Sequence, residues 1–93
     1  MYCTYVLHSE SDGRWYTGAT SDRKARFSVH AQGRVRATRA RRPLRLAYDE
    51  ACGSAAAAYR RERYLKSGRG KRYLRQRLSV WLGDVSPRKL ERH

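Results

Sequence analysis

Tyr16 and Gly18, in the stretch RWYTGATSD (14–22), admit two readings: an aromatic strand running into a glycine bend, or one wall of a site that handles phosphate. A tyrosine with an unperturbed pKa of about 10 is a poor base at neutral pH, and nearby cations must lower it before it can take a proton from water. Cations are abundant here, with 22 Lys and Arg against 8 Asp and Glu. Asp22, Arg26 and His30 follow at i, i+4 and i+8, which puts them on one side of a helix. Taken singly, Arg26 is accounted for by a weak surface ion pair with Asp22, and His30 by an ordinary satisfied histidine. Glu62 stands out more. It is the only acid between Glu50 and Asp84, and it falls on the apolar stripe of Ala55, Ala58 and Leu65. A buried carboxylate needs an arginine from another element, a hydrogen-bond network or a metal. A single carboxylate with open coordination positions also suits Mg²⁺ when substrate phosphate completes its shell.

The elements that must hold these residues are few, because 93 residues make one domain. YCTYVLH (2–8) reads as a strand, SESDG (9–13) as a turn with the Asp12-Gly13 hairpin signature, and Arg14–Thr17 as the return strand. Tyr5 and Tyr16 thereby sit on adjacent antiparallel strands, able to place both hydroxyls at one end of a small sheet. Ser21-Asp22 suits a helix start with an acid in the first turn, and Gly33 ends that helix. RVRATRARRP (34–43) is a basic connection without a period, and LRLAY (44–48) alternates as a third strand. Gly53-Ser54 caps a helix over AAAAYRRERYLK, stopping near Gly68, and KRYLRQRLSVWL (71–82) places Leu74, Leu78 and Leu82 at helical spacing beside Trp81. The order ββαβαα defines an α+β fold, a three-stranded antiparallel sheet flanked by helices.

The formal charge of +14, carried mostly by arginine, makes nucleic acid the leading partner and an anionic membrane the weaker one. No apolar run approaches the roughly 20 residues of a membrane span, and the N-terminus lacks a signal-peptide pattern. Cys3 and Cys52 show no metal-binding spacing and read as reduced thiols of a cytoplasmic protein.

In order along the chain, TYV (4–6), YTG (16–18), TSDRKARFSVH (20–30) and RRERYLK (60–66) resemble the GIY-YIG nuclease domain. The likeness is to its small stand-alone bacterial branch (UPF0213-like) and to excinuclease N-terminal domains of the same superfamily. It extends through ATRARRPLRLAY and KSGRGKRYLRQRL, so it spans nearly the whole chain. The resemblance implies one nuclease domain over 1–83, a short basic tail at 84–93, and a phosphodiesterase using one Mg²⁺, with Mn²⁺ able to substitute. Tyr5 matches the tyrosine of the first half-motif, the general base for the attacking water. Tyr16 and Gly18 match the second, orienting water or phosphate and letting backbone approach closely. Arg26 matches the arginine that stabilises charge on the scissile phosphate, His30 a proton-relay or orienting group, and Glu62 the metal ligand. The sequence departs from the pattern with Thr4-Tyr5-Val6 in place of Gly-Ile-Tyr, Thr17 for isoleucine and Arg23 for an apolar residue.

The resulting expectation is a metal-dependent DNA endonuclease, with the choice between double-stranded DNA and single-stranded or branched DNA left open; the resemblance points to repair, recombination or the handling of incoming DNA. Arg39, Arg41, Arg42, Arg69, Lys71 and Arg72, with Arg75 and Arg77, would form its phosphate-binding surface. With no recognition helix or second domain, sequence specificity should be low. No obligate protein partner is readable. The competing expectation is a non-catalytic nucleic-acid-binding module on the same fold, and charge alone is also consistent with an RNA-associated role.

Overall fold

β1 (Tyr2–Ser9) and β2 (Trp15–Thr20) draw on the aromatic and β-branched residues that favour extended backbone. Gly13 takes φ +71° at the turn, and Ser9 N donates to Arg14 O at 2.9 Å, closing an antiparallel hairpin. β3 (Leu44–Cys52) pairs with the other side of β1, giving the sheet order β2-β1-β3. The computed structural model describes residues 1–79; the expected helical residues Trp81 and Leu82 and the tail 84–93 lie outside the described residues. β3 runs past its expected end at Tyr48 because β1 offers backbone partners as far as Tyr2, which pairs with Cys52. A register shift between Val6 and Leu7 leaves Ala47 as an extra residue of β3.

Alternation along β1 divides the interior. Cys3, Tyr5 and Leu7 join Leu44 on one face, covered by Phe27 and Ala31. Val6 faces the other way, packed with Leu65, Leu74 and Leu78, with Trp15 and Tyr73 alongside. Trp15 therefore turns to the face opposite Tyr5, as its position in the strand predicts.

α1 (Arg23–Ala31) covers the Tyr5 face. Asp22 is its N-cap, accepting from Ala25 N at 3.1 Å, so the acid expected in the first turn is the cap itself. The helix ends at Gly33, φ +76°, where Gly33 N donates to His30 O at 3.1 Å and Arg34 N to Val29 O at 2.9 Å. A single 3-10 turn, Arg39–Arg41, interrupts the basic connection.

α2 (Ala55–Lys66) and α3 (Gly68–Arg77) cover the Val6 face. α2 has the expected span, with Ser54 Oγ accepting from Ala57 N at 3.1 Å. α3 starts before its expected position at Lys71, because Ser67 closes α2 and caps α3 at once, its Oγ accepting from Gly70 N at 3.2 Å. A Cβ on Gly70 would stand 2.0 Å from the Tyr64 carbonyl oxygen and 2.5 Å from Leu65 Cα. Glycine there permits the close turn of α3 onto α2.

Candidate active site

The face covered by α1 carries the tyrosines. Tyr5 pairs with Gly18 and Leu7 with Tyr16 across the hairpin, so both phenols lie on one side of the sheet. The Tyr5 hydroxyl lies 2.8 Å from His30 Nε2, and His30 Nδ1 lies 2.8 Å from Thr38 Oγ1. All three residues are 0% exposed. Arg26 Nε donates to the same hydroxyl at 3.4 Å, and the Tyr16 ring stands edge-on to His30 at 5.3 Å between centroids. Phe27 supports Tyr5 edge-on at 5.2 Å.

Local structure explains this convergence. One turn of α1 separates Arg26 from His30, so both share the helix face turned to the sheet, while Asp22 caps the helix instead of pairing with Arg26. Arg23, at the position where the resemblance has an apolar residue, turns to an ion pair with Asp49 on β3. Gly18 serves the phenol directly, since a Cβ there would stand 2.5 Å from the Tyr5 hydroxyl. Thr38 is the member that sequence reasoning did not single out. It lies in the stretch without a period, and only the tertiary fold brings it under His30.

Burial dominates the protonation of this cluster. It pushes the Tyr5 phenol up to about 12, against the opposing effect of the Arg26 hydrogen bond and charge. It pushes His30 down to about 4, with the Arg26 cation adding to the effect. At neutral pH Tyr5 therefore holds its proton and His30 is neutral. The neutral ring has one N–H and one lone pair, so Tyr5 can donate to Nε2 while Nδ1–H donates to Thr38.

Glu62 stands apart from this cluster. It belongs to α2, across the sheet, in a helix that packs along the edge strand β2 as well as β1. Ala58 and Leu65 are buried as the stripe requires, and the Glu62 side chain is 20% exposed. Its partner is Lys66, one turn on, at 2.8 Å to Oε2, rather than an arginine from another element. Arg61 of the same helix pairs instead with Glu50 of β3, which accepts from Arg61 Nε at 2.9 Å and from the Tyr48 hydroxyl at 2.7 Å.

No cluster of three or more His, Cys, Asp or Glu gathers among the described residues. The donor set still fits a hard divalent cation. Glu62 Oε1 has no protein partner among the described residues, and one carboxylate oxygen with water and substrate phosphate is an ordinary Mg²⁺ arrangement.

The expected phosphate-binding residues divide into separate places. Arg39 and Arg42 line a small cavity at the end of α1, where Arg42 donates to the Arg39 and Ala31 carbonyls. Arg41 and Lys71 line a larger cleft by the hairpin, joined by Arg75. Arg69 and Arg72 project from α3 into solvent, and Arg77 stands over the Tyr48 ring at 6.0 Å. No helix among the described residues is long and apolar enough to cross a membrane.

A three-stranded sheet with two tyrosines on its hairpin, followed by a helix bearing arginine and histidine, defines an α+β domain with its polar cluster under one helix. Residues 1–79 match the GIY-YIG catalytic domain, and the chain belongs to that family. It is 46% identical over 63 residues to a UPF0213 protein of Streptococcus agalactiae serotype V, covering 67% of this chain and 70% of the relative. A UPF0213 protein of Halobacterium salinarum is 39% identical over 67 residues, covering 71% of this chain and 86% of the relative. One from Orgyia pseudotsugata multicapsid polyhedrosis virus is 37% identical over 83 residues, covering 84% and 75%. No solved structure matches the chain. The family is one of nucleases, generally dependent on divalent metal and acting on DNA.

Proposed function

We propose that this protein is a metal-dependent DNA endonuclease that hydrolyses phosphodiester bonds with low sequence specificity. The observation that carries the reading is the continuous chain from Tyr5 through His30 to Thr38, with Arg26 on the phenol. A buried tyrosine that keeps its proton at neutral pH cannot be a standing base. It can pass a proton on. As Tyr5 Oη takes the proton of the attacking water, its own proton moves to His30 Nε2.

Arg26 has two tasks in this scheme. Its charge helps to depress His30 in the free protein. A scissile phosphate drawing the guanidinium outward relieves that effect, opens Tyr5 Oη to water, and gains a fork donor for the charge of the transition state. Tyr16, half-buried beside His30, would orient the water or phosphate. A phosphate lying round the edge strand β2, along which α2 packs, would meet Lewis-acid stabilisation of its leaving oxygen from a divalent cation held by Glu62. Lys66 holds the carboxylate of Glu62 in place from the adjacent turn.

The test is to incubate the purified protein with supercoiled plasmid and with single-stranded DNA, in Mg²⁺, Mn²⁺ or EDTA. Nicking that requires metal and yields scattered cleavage positions is expected. Binding without nicking under any metal would establish the non-catalytic module instead, and one defined cleavage sequence would overturn the low specificity.

A further inference from the structure

A cleft of about 720 Å³ opens between the β1–β2 turn and α3, on the sheet face opposite the tyrosines. That volume is the scale of a small ligand, within the roughly 300–1,000 Å³ typical of such sites. Arg14, Trp15, Arg41, Lys71 and Arg75 line it, with Asp12 as its acid. Asp12 is already satisfied: it accepts from Arg14 N at 2.8 Å and from Arg41 Nε at 2.9 Å. Arg14, Lys71 and Arg75 are exposed, and none of the three joins an ion pair among the described residues. Three uncompensated cations around one cavity repel each other until an anion enters.

Trp15 adds the second half of the chemistry. Part of its indole packs on the Val6, Leu65 and Leu74 cluster, which fixes it, and part lines the cleft. A fixed aromatic among cations is a platform for stacking a base whose phosphates are held alongside. A base in a duplex cannot offer its face to such a platform, so the occupant is an unpaired strand.

We propose that this cleft is a second nucleic-acid site, taking an unpaired stretch of strand outside the tyrosine centre, with a base on Trp15 and phosphates on Arg14, Lys71 and Arg75. The site rests on the reading of nucleic acid as the partner. It selects strand structure without base-edge contacts, the form of selectivity that stacking and phosphate contacts supply.

Binding is measured by fluorescence anisotropy in EDTA, so that cleavage plays no part, with a labelled 12-nucleotide oligothymidylate and a 12-base-pair duplex as probes. Trp15→Leu keeps apolar packing and should weaken the single strand about 5- to 100-fold while changing the duplex far less. Arg75→Ala, an exposed change with no core contact, should reduce the salt dependence of single-strand binding by about 0.7 in log–log slope. Unchanged oligothymidylate binding in both variants overturns the proposal, as does an equal loss on single strand and duplex in Trp15→Leu. A wild type that binds oligothymidylate through these residues yet never cleaves DNA would overturn the nuclease reading and leave this site standing.

Discussion

The hydroxyl of Tyr5 and Nε2 of His30 lie 2.8 Å apart with neither residue exposed to solvent. Burial drives the two titrations apart, the phenol up to about 12 and the imidazole down to about 4. The pair therefore crosses neutral pH as one neutral unit holding one transferable proton. Its partners are Arg26 on the phenol, which sets its charge environment, and Thr38 on the ring, which holds the imidazole in place.

His30→Gln should lower the cleavage rate about 10²- to 10⁴-fold, the usual worth of positioned proton transfer. Thr38→Val should give a smaller loss with unchanged DNA affinity, because it acts only by orienting His30. Single-turnover rates with parallel binding isotherms separate the two, and a loss confined to binding would remove both residues from the relay.

The same pair sets a stability signature in pH. His30 titrates at about 4 when folded against an ordinary 6.5, so the unfolded chain binds more protons between those values. Its contribution is present above pH 6.5 and is lost as pH falls towards 4. Tyr5 has the opposite sign: with its folded value at about 12 against 10, its contribution holds below pH 10 and fades as pH rises through 12. Urea unfolding of the wild type and His30→Gln from pH 7 to pH 4 checks the acid limb, which should be shallower in the variant. Parallel curves for the two proteins would contradict it.

Gly18→Ala should disturb the site without removing any reactive group. Its Cβ would meet the Tyr5 hydroxyl at 2.5 Å and Cζ at 2.7 Å, so the phenol must leave His30. A destabilisation of about 1–3 kcal/mol is expected from such overpacking. The cost should shrink in a Tyr5→Leu background, where the ring that the Cβ meets is gone. Equal costs in both backgrounds would show that the contact is not the cause.

Gly70→Ala tests the architecture instead. The added Cβ meets backbone, the Tyr64 carbonyl at 2.0 Å and Leu65 Cα at 2.5 Å, which cannot turn aside like a side chain. A loss of about 3 kcal/mol, at the upper end for overpacking, is expected in urea unfolding. A change below about 0.5 kcal/mol, as at an ordinary surface site, would contradict the packing described for α2 and α3.

Local patterns made much of this structure legible. The Asp12-Gly13 turn, the Ser54 cap and the i, i+4 spacing of Arg26 and His30 are interactions within a few residues, which sequence spacing encodes directly. The GIY-YIG resemblance joined them into a family. What escaped was tertiary. Thr38 sits in a run with no period, and β3 extends along β1 because a partner strand is there. Gly68 and Gly70 look like helix breakers, yet one opens α3 and the other permits its approach to α2. Glu62 drew attention as a lone acid on an apolar stripe, but nothing in that stripe says that Lys66 would be its partner or that Arg61 would pair with Glu50.

The most direct measurement is the Mg²⁺-dependent initial rate of cleavage of a labelled DNA strand by the wild type, Arg26→Ala and Glu62→Ala, with binding of the same strand recorded in EDTA. Metal-dependent cleavage by the wild type, abolished in both variants while each still binds DNA, is the expected result. A wild type that binds without cleaving, or either variant cleaving at the wild-type rate, would contradict the assignment of these residues to a phosphodiester-hydrolysing site.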